Sequence, residues 1–148
     1  MLNPDFKELL RLFHDQGVEY LVVGGYAMAG HGHPRFTGDL DLWIWSSPEN
    51  ASKIMETLRQ FGFGSLGLSE RDFERPQQVI QLGYPPSRID LLTDIDGVSF
   101  RECWARRVEI PVDGLVLPTI HLDDLIANKR ASGRLQDLAD VEKLTRGR

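Results

Sequence analysis

From Asp39 to Trp45 the chain alternates strictly, with Asp39, Asp41, Trp43 and Trp45 in one parity and Leu40, Leu42 and Ile44 in the other. Successive side chains of a strand point to opposite faces, so this segment reads as a strand with one aliphatic face and one face carrying two carboxylates. An earlier apolar run, Tyr20 to Val23, ends at Gly24-Gly25, and Tyr26 to Ala29 reads as a short helix before Gly30, Gly32 and Pro34 break it. Two further helices announce themselves by their ends. Asn3 and Pro4 open one in which Phe6, Leu9, Leu10 and Phe13 recur at helical spacing until Gly17, and Ser47 and Pro48 open another with Ile54, Met55, Leu58 and Phe61 before Gly62.

The stretch from Phe63 to Pro76 has no period and reads as an irregular excursion. Strand-like runs follow at Val79 to Tyr84 and Arg88 to Leu92, joined by Pro85-Pro86-Ser87 as an antiparallel hairpin. Val108 to Ile110 and Leu115 to Leu117 flank an Asp113-Gly114 turn. The last segment is helical, with Leu122, Leu125 and Ile126, then Leu135, Leu138, Val141 and Leu144, interrupted near Gly133. This order of elements predicts an α/β (α+β) layer fold, a mixed β-sheet flanked by helices.

At 148 residues, the chain is expected to form one domain spanning residues 1–148. It is 41% hydrophobic and 26% charged, close to globular averages, which disfavours disorder and low complexity. A net charge of -5 argues against a protein that coats nucleic acid by bulk electrostatics. The single cysteine, Cys103, allows no internal disulfide and no multi-cysteine zinc site, and no apolar run approaches the ~20 residues of a membrane helix. A cytoplasmic setting without membrane contact is the expectation.

Two features carry chemistry. A strand-glycine-glycine-helix turn exposes backbone N–H groups where a phosphate can approach, although a tight packing turn accounts for Gly24-Gly25 equally well. On the next strand, Asp39 and Asp41 share a face, and two like charges held that close call for a compensating cation. Mg²⁺ suits such hard oxygen donors; two solvated aspartates paired to Arg35 or Arg88 are the plainer alternative. Asp90 tilts the choice: with Ile89 and Leu91 on the opposite face, it points toward Asp39 and Asp41 if the strands are neighbours. Three carboxylates can hold two divalent ions that clamp the entering and leaving oxygens of a phosphoryl transfer.

Taken together, Gly24-Gly25, Arg35, Thr37, Asp39 and Asp41, and then Asp90 on a later strand resemble the active-site signature of the polymerase β-like nucleotidyltransferase superfamily. More closely, they resemble the small prokaryotic nucleotidyltransferase-like proteins that include the abortive-infection (AbiEii-type) toxins of toxin–antitoxin systems. Leu125-Ile126-Ala127-Asn128-Lys129-Arg130, Gly133-Arg134 and Asp137-Leu138-Ala139-Asp140 are similar to the helices that close those proteins, so the resemblance covers nearly the whole chain. It implies a nucleotidyltransferase fold and Mg²⁺- or Mn²⁺-dependent transfer of a nucleoside monophosphate from a nucleoside triphosphate to an RNA, protein or small-molecule acceptor, with an antitoxin as a further partner. The alternative is a non-catalytic nucleotide- or protein-binding module of the same fold.

Residue by residue, the resemblance implies that Gly24 and Gly25 cradle the triphosphate with Arg35 and Thr37 beside them. Asp39 and Asp41 would bind both metals, and Asp90 would bind the second and help deprotonate the acceptor hydroxyl. Lys129 would approach the phosphates, while Asp137 and Asp140 hold the closing helices or orient Lys129 and Arg134. The superfamily commonly has serine after the first glycine, where this chain has Gly25.

The other signals read as structure. His31-Gly32-His33-Pro34 suits a loop better than a zinc site, and Asp94-Ile95-Asp96-Gly97 lacks the further ligands of a calcium loop and reads as a turn. Trp43 and Trp45 could stack on a base, but packing beneath a helix is favoured. Arg101, Arg106 and Arg107 around Cys103-Trp104 suit a solvated helix face better than a nucleic-acid contact.

Overall fold

The computed structural model describes residues 2–34, 38–64 and 67–146. Among them the order is α1 (Pro4–Gln16), β1 (Tyr20–Val23), α2 (Gly24–Gly30), β2 (Asp39–Ile44), α3 (Pro48–Phe61), a 3-10 turn (Glu70–Phe73), β3 (Val79–Leu82), β4 (Arg88–Leu92), α4 (Phe100–Ala105), β5 (Val108–Val112), β6 (Leu115–Thr119), α5 (Leu122–Ser132) and α6 (Leu135–Thr145). The strands form a mixed sheet in the order β3-β4-β2-β1-β6-β5. The pairs β2–β4 and β1–β6 are parallel, while β1–β2, β3–β4 and β5–β6 are antiparallel. The predicted fold class is therefore what the chain adopts.

The capping signals act as the sequence requires. The Asn3 side chain accepts from the Asp5 N–H, Pro4 occupies the first turn, and Gly17 closes α1 in the left-handed region at φ 70°. Ser47 accepts from the Asn50 N–H to start α3. The aliphatic parity of β2 faces α1 and α3: Phe13 packs 5.4 Å from Tyr20, which pairs with Ile44, and Phe61 and Phe63 border Leu82 and Ile89. Leu40, Leu42, Ile44, Ile89 and Leu91 are buried in this layer, each contributing about 1.5–3 kcal/mol by leaving water.

The other face carries the carboxylates at one end and the tryptophans at the other. Trp43, only 1% exposed, meets Phe100 of α4 edge-on at 5.2 Å, and Trp45 stacks on the same ring at 5.5 Å. Both indoles thus pack beneath a helix. The arginines in and just after α4 are ion-paired at the surface, Arg101 to Glu19 at 2.7 Å, Arg106 to Asp124 at 2.9 Å and Arg107 to Glu109 at 2.9 Å, in keeping with a solvated face. No helix of the described residues is long and apolar enough to cross a membrane.

Three boundaries differ from expectation. β3 stops at Leu82, because Gly83 turns the chain at φ 71° and the Tyr84 carbonyl accepts from the Ser87 N–H. β5 and β6 run on to Val112 and Thr119 around Asp113 and Gly114, both at positive φ as a two-residue hairpin turn demands. Within the aperiodic segment, Ser69 and Asp72 cap the 3-10 turn reciprocally and deliver Phe73 into the core. Phe73→Ala should therefore cost about 3–5 kcal/mol in urea-induced unfolding, and a change below 1 kcal/mol would show that this segment does not contribute to the core.

Candidate active site

The parallel register of β2 and β4 sets Asp39 opposite Arg88 and Asp41 opposite Asp90. Paired residues share a face, so the side chains form a four-cornered cluster of three carboxylates and one guanidinium. Asp90, 8% exposed, accepts from Arg88 through both oxygens, Nε to Oδ1 and Nη2 to Oδ2, each at 3.1 Å. Arg88 Nε also lies 3.9 Å from Asp39 Oδ2. The neighbouring strands expected of Asp90 are realised, but no three His, Cys, Asp or Glu side chains of the described residues converge closely enough, as they stand, to hold a metal ion.

Gly24 opens α2 at φ 67°, and a Cβ there would collide with Asp41 Oδ2. The absent side chain thus leaves room for a carboxylate of the protein itself, because β1 and β2 pair with Val23 opposite Asp41. Gly24 lines the cavity beside the carboxylates, whereas Gly25 is buried inside α2 and does not. Burial raises the Asp41 pKa from 3.8 to about 6, helped by the charges of Asp90 and Asp39 and opposed by Arg88 and Lys129. Desolvation is the larger cause and the neighbouring carboxylates add to it, so a cation bound here would lower the cost of ionising Asp41. The donor set, oxygen only, fits a hard divalent cation.

A cavity of about 420 Å³ opens here between the sheet and α5–α6, bordered by Gly24, Asp39, Asp41, Asp90, Lys129 and Arg134. Lys129 is 5% exposed, with Nζ 2.9 Å from Asp140 Oδ2 and 3.4 Å from Asp137 Oδ1. Asp140 is fully buried and also accepts from Gln136. Burial pushes Asp137 up, but hydrogen bonds from Ser132 and Arg134 and the charge of Lys129 outweigh it and hold the carboxyl below its ordinary value. Lys129 is thus a buried ion-pair partner facing the site, and the more exposed Arg134, 2.8 Å from Asp137, stands at the cavity wall.

Arg35 and Thr37 lie outside the described residues. His31 is tied by Nε2 to the Ile120 carbonyl at 2.7 Å, and Asp94 accepts from the Gln77 N–H beside a turn at Asp96-Gly97. Arg88, offered by the sequence only as an alternative ion-pair partner of the two aspartates, sits within the carboxylate cluster and forks onto Asp90. Its signal was the Arg-Ile-Asp spacing, which sets Arg88 and Asp90 on one strand face.

No protein-family model and no curated protein matches the chain. Solved structures do. TM1012 from Thermotoga maritima, described as a candidate nucleotidyltransferase, aligns over 100% of this chain and 97% of its own with a TM-score of 0.61 at 18% identity. The lincosamide antibiotic adenylyltransferase LnuA, solved with lincomycin, aligns over 99% and 98% with a TM-score of 0.58 at 12% identity. The antibiotic-resistance factor ANT(2'')-Ia aligns over 95% and 80% with a TM-score of 0.58 at 10% identity. The chain has the nucleotidyltransferase fold.

Two measurements test this reading of the site. Because the folded Asp41 pKa lies above its unfolded value, Asp41 costs the metal-free protein nothing below about pH 4; the cost grows as pH rises through about 6. Asp41→Asn should therefore gain stability relative to wild type between these values, on the order of 3 kcal/mol at neutral pH; parallel pH profiles in denaturant melts would refute the shift. Asp140→Ala leaves the buried Lys129 ammonium with Asp137 alone and should cost about 3–5 kcal/mol, read as a lowered midpoint in the same melts.

Proposed function

We propose that this chain is a Mg²⁺- or Mn²⁺-dependent nucleotidyltransferase that moves a nucleoside monophosphate from a nucleoside triphosphate to a hydroxyl acceptor. The observation that carries the reading is the register of β2 and β4, which gathers Asp39, Asp41 and Asp90 at one end of a cavity in a nucleotidyltransferase fold. Asp39, Asp41 and Asp90 would hold the divalent cation, which supplies charge stabilisation for the entering and leaving oxygens.

The acceptor oxygen forms a bond to the α-phosphorus while the bond to the β-phosphate oxygen breaks and pyrophosphate leaves. Asp90 takes the acceptor proton. Gly24 leaves the space Asp41 needs, and Arg134 offers an exposed guanidinium at the cavity wall to the triphosphate, with the buried Lys129 adding positive charge. Asp94 and Asp96 also border the cavity and favour a small neutral or cationic acceptor over polyanionic RNA.

Incubation with each nucleoside triphosphate, Mg²⁺ and a panel of amino sugars, small alcohols, proteins and RNA should release pyrophosphate with at least one acceptor. Asp39→Asn and Asp41→Asn should each lower that rate at least about a hundredfold, the equivalent of several kcal/mol of lost charge stabilisation. Nucleotide binding without release under every condition would instead favour a non-catalytic binding module.

A further inference from the structure

Among the described residues, the basic side chain set within the carboxylate cluster, Arg88, has no part in the transfer chemistry above. Arg88 forks onto both oxygens of Asp90 and lies within 3.9 Å of Asp39, the position from which a cation shared by these carboxylates would neutralise them. We propose that Arg88 is a displaceable counter-ion, a positioning residue whose guanidinium holds Asp90 in the cation-free protein and yields it when a divalent cation binds. This rests on the reading of Asp39, Asp41 and Asp90 as cation ligands.

Three observations carry it. First, both Asp90 oxygens are committed to the fork, and a guanidinium and a metal ion compete for the same carboxylate lone pairs. Second, Arg88 can leave without opening the core: its side chain is 33% exposed, against 11% for that of Asp90, so the guanidinium has a path to solvent. Third, the other described cations that border the cavity, Lys129 and Arg134, are engaged elsewhere, Arg134 with Asp137 at 2.8 Å. Lys129 is buried against Asp137 and Asp140, and Gln81, opposite Asp90 on β3, is neutral. Among the described residues, the three carboxylates outnumber the Arg88 guanidinium set among them, so a divalent cation is drawn in while that guanidinium opposes it.

The experiment is Mn²⁺ binding without nucleotide, followed by electron paramagnetic resonance and by thermal melts, on wild type, Arg88→Gln, Arg88→Lys and Asp39→Asn. Arg88→Gln should bind Mn²⁺ on the order of tenfold more tightly, because a unit charge is removed from beside the site. It should also melt lower than wild type in chelator and recover with Mn²⁺. Arg88→Lys keeps the charge but loses the fork and should bind about threefold more tightly; it carries the test if Arg88→Gln does not fold. Unchanged or weakened Mn²⁺ affinity in these variants, with wild-type binding intact and abolished by Asp39→Asn, overturns the proposal alone. Absence of saturable Mn²⁺ binding in wild type and variants alike overturns the cation reading and this proposal together.

Discussion

The parallel pairing of β2 with β4 is the constraint on which the site depends. It sets Asp39 beside Arg88 and Asp41 beside Asp90, and a slip of one residue would turn one strand's polar set into the aliphatic layer. That layer makes the slip prohibitive, because Leu40, Leu42, Ile89 and Leu91 are all buried on the other side of the same two strands. The hydrophobic core thus holds the carboxylates together against their own repulsion. The electrostatic cost shows in Asp41, which burial and two neighbouring carboxylates keep from ionising readily.

A second constraint comes from the end of the chain. Lys129 on α5 is buried against Asp137 and Asp140 of α6, so the two helices are joined by a buried charge network. Breaking one member strands a charge out of water, which costs more than the intact pair contributes. Arg134 and Ser132 complete the network at its exposed rim. The wall of the cavity facing the carboxylates is therefore fixed by the same contacts that dock the closing helices.

Much of this was legible along the chain. Helix ends marked by Asn3-Pro4, Gly17, Ser47-Pro48 and Gly62 appear where local hydrogen bonding demands them, because a cap is a short-range interaction. The alternation in β2 specified which side chains share a face. Phe73 was not legible: it enters the core from a 3-10 turn, without a period to announce it. Gly24 carried an ambiguous signal, since a glycine beside a strand end suits an approaching phosphate as well as an approaching carboxylate. The close approach of Asp41 adds the protein's own carboxylate as a reason for a glycine there.

The sequence by itself determined the elements, their buried faces and the residue types able to bind a cation, because propensity, capping and periodicity act within a few residues. Only the tertiary structure decided that Arg88 forks onto Asp90 and that Lys129 spends its charge on Asp137 and Asp140. Ion pairing depends on distance and burial, and these are settled by which strands and helices become neighbours in space.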